Sequence, residues 1–257
     1  MKPRVKRALK IVGVVLLVLI AIPAVLLGIT FAGASKIEDG RDLAGIARVV
    51  KDGYVLASVV DLGNGKVALV DAGNDKEGKT LLAELTRRGL GPDAVEAILL
   101  THGHPDHTAA CVLFPKAKVY ALAAEVPLVE GTVAAKGPLP RLAGARATGI
   151  HVERGLGDGE TLSLGSRTVR VFAVPGHTAG SAAYLIDGVL FVGDSATGGT
   201  DGKLHGAPWL FSDDPAQNLA SMRALGAKLK TEGAEVKLIV PAHSAALEGV
   251  EPLVAIE

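Results

Sequence analysis

The sequence predicts an α/β fold in which two β-sheets pack face to face with helices outside, and three observations lead there. Short aliphatic segments alternate with segments of helical spacing. The strand-rich stretches fall into two roughly matched halves, 46–121 and 160–243. Apolar residues make up 49% of the chain and aromatics only 4%, a composition that suits buried strands and close helix–sheet packing. The 257 residues suffice for one large domain or two small ones.

At the N-terminus, Lys2, Arg4, Lys6, Arg7 and Lys10 precede a run from Ile11 to Ser35 with no charge. Ile11–Ala32 is almost continuously apolar; as a helix it would span ~33 Å, against a hydrocarbon core of ~30 Å. Residues 1–34 are therefore expected to form a transmembrane helix acting as a signal-anchor. The flanking charges place the body, 35–257, outside the cytoplasm, periplasmic or extracellular. The competing reading is a cleavable signal peptide, with Ala32-Gly33-Ala34 as the small-residue site, which would leave a secreted body. Pro23 would kink a spanning helix and also fits within a signal.

Beyond Lys36, Ala47–Lys51, Tyr54–Leu62 and Lys66–Asp71 read as strands, with hairpin turns at Asp52-Gly53 and Asn64-Gly65. Gly78–Leu90 has helical spacing, with Leu81, Leu82, Leu85 and Leu90 on one face, and ends at Gly91-Pro92. Val95–Leu100 is a buried strand and Lys118–Ala121 a short one, followed by a helix from Ala123 to about Glu130. Residues 131–147 form a connector rich in Gly, Pro and Ala. Asp158-Gly159 opens a hairpin, and Thr168–Val174, Ala182–Ile186 and Val189–Gly193 are strands. Residues 196–214 form a long strand-free segment, Pro215–Lys230 a helix and Lys237–Val240 the last strand.

The formal charge is zero, but residues 35–257 carry 22 basic and 27 acidic side chains, a net of −5. That acidic balance argues against sequence-independent nucleic-acid binding. Cys111 is the only cysteine, so no intrachain disulfide forms; it reads as a small buried hydrophobe on a helix. Nothing in the sequence sets an oligomeric state.

The chemistry concentrates in Thr101–His107, THGHPDH, which packs His102, His104, Asp106 and His107 into one short turn. Imidazole and carboxylate are the ligands borderline divalent metals favour. In an extended segment, side chains at i and i+2 point the same way, so His102 and His104 can close on one ion. Pro105 suits the first turn of a helix, and Asp106 and His107 leave that turn in another direction. One cluster can thus serve two ions. Three more apolar strands end in polar residues: at Pro175-Gly176-His177, at Gly193-Asp194-Ser195 and at Pro241-Ala242-His243. Five of the seven histidines occupy these four strand-terminal places, whereas His151 and His205 read as ordinary loop residues.

In these segments the chain resembles the metallo-β-lactamase fold superfamily of metallohydrolases, over about residues 46–245. THGHPDH matches the HxHxDH signature, VPGHTAGS the third-histidine segment, FVGDS the bridging aspartate and PAHS the late histidine. VALVDAG looks like the early strand whose acid, here Asp71, orients the ligands. The resemblance implies a four-layer αββα sandwich of two mixed β-sheets, with 35–257 as the catalytic domain. It implies two divalent metal ions, zinc first, with iron or manganese as alternatives. His102, His104 and His177 would hold one ion and Asp106, His107 and His243 the other, with Asp194 bridging both. Asp71 would accept from a ligand imidazole N–H and fix its tautomer.

Two ions so placed can share a hydroxide as nucleophile, with Asp106 both ligating and taking the proton. A small-molecule ester, lactone or thioester is the expected substrate. Asp194 speaks against a dedicated β-lactamase, and His104 in place of a glutamate against the diiron oxygen-reductase branch. Only 14 residues follow His243, so the C-terminal helical domain of glyoxalase II is expected to be absent. The alternatives are a mononuclear iron sulfur dioxygenase of the same fold, β-lactamase or phosphodiesterase activity, and a non-catalytic membrane-tethered binding protein. Trp209 and Phe211, in the segment after Asp194, are candidate substrate-pocket residues.

Overall fold

The computed structural model describes residues 3–257, with the side chains of residues 3–9, 11, 13–16 and 18 outside the described set. The chain divides into two compact units, Met1–Ala32 and Gly33–Glu257. The first holds helix α1 (Pro3–Thr30), which contains Pro23.

The structure corrects the expected localisation. Among the described residues, no helix is long and apolar enough to cross a membrane. The side chains of Lys2, Arg4, Lys6 and Arg7, on which the orientation rested, lie outside the described residues. The transmembrane, signal-anchor and membrane-partner expectations fall, and with them the placement of the body outside the cytoplasm, whether anchored or secreted.

The second unit opens with a seven-stranded sheet. Its strands are β1 (Asp42–Leu43), β2 (Ala47–Asp52), β3 (Val55–Gly63), β4 (Lys66–Val70), β5 (Val95–Leu99), β6 (Lys118–Leu122) and β7 (Arg154–Leu156), side by side in chain order. β1 to β4 are antiparallel and β4 to β7 parallel. The tight turn between β3 and β4 forces the antiparallel return: Asn64 and Gly65 both adopt positive φ, 52° and 70°, as a two-residue turn of matching twist requires. Parallel neighbours need longer crossovers, and α2 (Lys79–Arg87) supplies the one between β4 and β5. The short helices α3 (Pro105–Thr108) and α4 (Val126–Val129) flank β6 in the chain.

The second sheet contains β8 (Thr161–Leu164), β9 (Arg167–Ala173), β10 (Ala182–Ile186) and β11 (Val189–Gly193). After a separate two-stranded ribbon, β12 (Ala196–Gly198) with β13 (Leu204–Gly206), and helix α5 (Pro215–Thr231), the chain returns to this sheet. It adds β14 (Leu238–Pro241) and β15 (Leu247–Glu248), giving the order β15-β14-β11-β10-β9-β8, and ends in α6 (Glu251–Val254). β14 pairs parallel with β11, and the other neighbours are antiparallel.

Period-two alternation sorts the apolar residues into three layers of core. In β10, Ala182, Tyr184 and Ile186 face the first sheet, meeting Val60, Val70, Leu99 and Leu122. Ala183 and Leu185 face outward with Met222, Leu225 and Leu229 of α5. Ala57, Val59 and Leu69 face outward from the first sheet, with Leu81 and Leu85 of α2. Because both faces of the central strands are covered, their sequences read as near-continuous apolar runs. Each Leu or Phe so buried contributes ~1.5–3 kcal/mol. The result is a four-layer αββα sandwich of two mixed sheets.

Several local expectations change. The helix after β6 is only Val126–Val129, because Pro127 has no N–H to continue a longer one. Asp158-Gly159 is no hairpin: β7 pairs with β6 in the first sheet and β8 with β9 in the second, so this turn carries the chain between sheets. Residues 196–214, expected to be strand-free, contain β12 and β13. Cys111, expected on a helix, lies in a single 3-10 turn and is buried.

The sheets aim their loops at one site. β4 and β5 run parallel in the first sheet; β9, β11 and β14 share one direction in the second. The segments leaving their C-terminal ends carry Asp71, Thr101–His107, His177, Asp194 and His243, in keeping with the general placement of sites beyond the carboxyl ends of strands. Between the sheets, the fully buried Tyr184 hydroxyl donates to the Leu100 carbonyl at 2.7 Å. Tyr184→Phe strands that acceptor and is expected to lower stability by about 1–3 kcal/mol, read as a shifted urea midpoint with an unchanged slope.

Candidate metal centre

The segments after β4, β5, β9, β11 and β14 meet at one end of the sandwich. His104 is extended, at φ −69° and ψ 149°, so His102 and His104 turn to the same side. Their ring nitrogens, His102 Nε2 and His104 Nδ1, lie 3.1 Å apart. His177 Nε2 stands 3.2 Å from His102 Nε2 and 3.1 Å from His104 Nδ1. The three rings are nearly perpendicular to one another, at 84°, 85° and 87°. A tetrahedral ion with bonds of ~2.0–2.1 Å to nitrogen holds its ligand atoms ~3.3 Å apart, so this triangle is close to the face of such a tetrahedron.

Hydrogen bonds on the far side of two rings set which nitrogen carries the proton. Thr101 Oγ1 donates to Asp71 Oδ2 at 2.8 Å and so accepts from His102 Nδ1 at 3.1 Å. Ser212 Oγ donates to the Pro208 carbonyl and accepts from His177 Nδ1 at 3.0 Å. Both Nε2 atoms then turn lone pairs, not protons, toward the triangle. Burial first, then the neighbouring imidazoles, hold His102 and His177 well below the usual histidine range. Burial likewise lowers His104. Neutral imidazole is the form that ligates metal.

A second group lies beside the first. Asp71 Oδ2 accepts from His107 Nδ1 at 2.8 Å, and the Tyr54 carbonyl accepts from His243 Nδ1 at 2.7 Å. Both leave Nε2 inward. His243 Nε2 is 3.5 Å and His107 Nε2 3.9 Å from Asp106 Oδ2. Asp194 faces both groups: Oδ1 lies 3.3 Å from His107 Nε2, and Oδ2 lies 3.1 Å from His243, 3.6 Å from His177 and 4.0 Å from His102. Burial pulls the His107 pKa down, but Asp194, Asp71 and Asp106 outweigh it and raise it well above the usual value. Burial opposes ionisation of Asp194, yet His243 and His107 hold its pKa well below the carboxylate range. The cluster thus calls for positive charge at its centre.

Metal ions fit this donor set. Among the described residues, three combinations bring ligand atoms within 4.8 Å of one another: His102, His104 and His177; His102, His107 and Asp194; and Asp106, His107 and His243. His107 Nε2 and Asp194 Oδ1 are buried with no hydrogen-bond partner, as expected of atoms meant for an ion.

The structure brings together all seven residues singled out as candidate ligands, with Asp71 beneath them. His151 lies apart, 3.3 Å from Glu130, and His205 lies 3.2 Å from Asp201. Trp209 is 43% exposed and Phe211 half-buried, on the loop whose Ser212 touches His177. Sequence reasoning missed Thr101, Ser212, Tyr54 and Glu125. The Tyr54 ring stacks on His243 at 5.8 Å. Glu125 is 1% exposed, its carboxylate accepting from Gly103 N at 2.7 Å and Gly180 N at 2.8 Å. Burial raises its pKa to about 7, against the lowering effect of those donors.

A model of the metallo-beta-lactamase superfamily matches residues 50–243. A hydroxyacylglutathione hydrolase of Shewanella oneidensis is 37% identical over 131 residues, 51% of this chain and 43% of its own length. One from Cupriavidus taiwanensis is 36% identical over 167 residues, 62% of this chain and 54% of its own. The chain thus spans about half the length of the curated relatives it matches. Among solved structures, a B3 metallo-beta-lactamase with an active-site glutamic acid aligns at a TM-score of 0.62 and 18% identity, over 87% of this chain and 85% of the other. A metallo-beta-lactamase family protein of Thermus thermophilus aligns at 0.59 and 24%, over 83% and 79%. These two share the fold.

Zinc loading followed by dialysis and elemental analysis is expected to give about two ions per chain. His177→Ala should retain about one, Asp194→Ala should lose metal from both groups, and His151→Ala should match the parent. Full retention by Asp194→Ala would contradict its placement between the two groups.

Proposed function

This chain belongs to the metallo-beta-lactamase superfamily, and on that footing we propose that it is a dinuclear metal-dependent hydrolase of a small thioester, with esters and lactones as neighbouring substrates. One observation carries the reading: the Asp194 carboxylate faces both ligand groups, 3.1 Å from His243 on one side and 3.6 Å from His177 on the other. The thioester preference is supported by the relatives in Shewanella oneidensis and Cupriavidus taiwanensis, which are hydroxyacylglutathione hydrolases.

His102, His104 and His177 would hold one divalent ion and Asp106, His107 and His243 the other, with Asp194 shared. Zinc suits these nitrogen and oxygen donors. Bound there, the pair would supply Lewis acidity that lowers the pKa of water toward ~7 and offsets charge growing on the acyl oxygen. The remaining steps belong to the chain. Asp106 is the most exposed of the carboxylates here, at 20%, so it can take the proton of the attacking water and return it to the departing sulfur or oxygen. Asp71 holds the His107 tautomer directly and that of His102 through Thr101. The Tyr54 ring against His243 and the loop carrying Trp209 and Phe211 would border the bound acyl compound.

A mononuclear iron dioxygenase would need only His102 or its neighbours with His177 and Asp194. It gives no role to the convergence of Asp106, His107 and His243, so the two-ion reading is preferred.

The test is turnover of a panel of thioesters, lactones, esters, phosphodiesters and β-lactams by the full chain at measured metal content. Thioester hydrolysis with about two ions per chain is expected. Asp106→Asn should lower kcat by roughly 10²–10⁴-fold while the three-histidine group keeps its ion. Full activity in that variant, or one iron per chain with oxygen uptake, would refute the reading.

A further inference from the structure

We propose that Glu125 is a positioning residue that fixes the three-histidine group as a unit, by tying the loop of His102 and His104 to the loop of His177. This rests on the dinuclear reading above. The side chain is buried and spends its two oxygens on two different loops. Oε1 accepts from the backbone N–H of Gly103, the residue between His102 and His104, at 2.7 Å. Oε2 accepts from the N–H of Gly180, three residues beyond His177, at 2.8 Å. One carboxylate thus spans loops 77 residues apart, bonding the residue between His102 and His104 and the turn that follows His177.

Independent packing supports the same role. A Cβ on Gly103 would meet Leu128 Cγ and Val129 N at 2.9 Å, and one on Gly180 would meet Glu125 N at 2.3 Å. Neither glycine has positive φ, so backbone strain does not demand glycine there. Close approach does: both loops press against the turn carrying Glu125. Loops leaving separate strands would otherwise set the nitrogen triangle independently, and a ligand set is effective only when its geometry is held. Asp71 acts on His102 and His107 from below. Glu125 acts from the side, and only on the three-histidine group.

That asymmetry supplies the test. In Glu125→Gln the amide oxygen still accepts one N–H, but the amide nitrogen faces the other as donor against donor, so one loop is released. Zinc affinity is measured by chelator competition on the full chain in two backgrounds. Asp106→Ala/His243→Ala retains the three-histidine group, and His104→Ala/His177→Ala retains the other. Glu125→Gln is expected to weaken zinc about 10–100-fold in the first background and less than about twofold in the second. Equal weakening in both, as general loosening of the fold would give, or no weakening in the first, overturns the proposal. Parent protein that takes up fewer than two ions defeats the dinuclear reading instead, while the first background still decides Glu125. Should the variants not fold, amide exchange in the parent decides. Gly103 and Gly180 N–H are expected to exchange as slowly as strand amides, and exchange at the rate of open loops overturns the proposal.

Discussion

Crowding of lone pairs and carboxylates in a water-poor crevice is the constraint on which this structure turns. His102, His104 and His177 bring three ring nitrogens to within 3.1–3.2 Å, and two of those rings have their protons committed to Thr101 and Ser212 on the far side. Asp194 and Asp106 add negative charge beside them. In a medium of low dielectric such a group is strongly unfavourable unless positive charge sits at its centre. β4 and β5 share one direction in the first sheet, and β9, β11 and β14 share one in the second; the segments leaving their C-terminal ends carry every contributing residue.

Support for the crevice comes from buried carboxylates with full sets of donors. Asp71 sits at φ 59°, a left-handed conformation that disfavours any residue other than glycine. It is held by its own N–H to the Leu99 carbonyl at 3.0 Å. Its carboxylate accepts from Thr101 N, Thr101 Oγ1 and His107 Nδ1, each at 2.8 Å. Hydrogen bonds to a charged group contribute ~1.5–3 kcal/mol apiece, enough to offset a strain of ~1–3 kcal/mol. At Gly193, φ is 53° and a Cβ would fall 2.3 Å from Thr101 Oγ1. Asp194 reaches the centre because nothing larger than glycine precedes it.

Much of this was legible in the sequence. The spacing of THGHPDH, and the recurrence of a polar residue at the end of an apolar strand, located all seven candidate ligands and the layered fold. The braces were not legible. Thr101, Ser212 and Glu125 are common residue types, and their partners lie 30, 35 and 55 positions away, distances over which no local pattern extends. The Asp158-Gly159 turn looked like a hairpin because turn chemistry reports a reversal, not which sheet the next strand joins. The N-terminal run was misjudged because apolar length along a sequence is not the same as a spanning helix.

Anomalous diffraction from crystals of the zinc-loaded full chain, collected on both sides of the zinc edge, tests the central claim most directly. Two peaks are expected ~3.5–4 Å apart. One should lie ~2.0–2.1 Å from His102 Nε2, His104 Nδ1 and His177 Nε2, and the other the same distance from the nitrogens of His107 and His243, with Asp194 between them. A single peak, or zinc bound away from these nitrogens, would contradict the account.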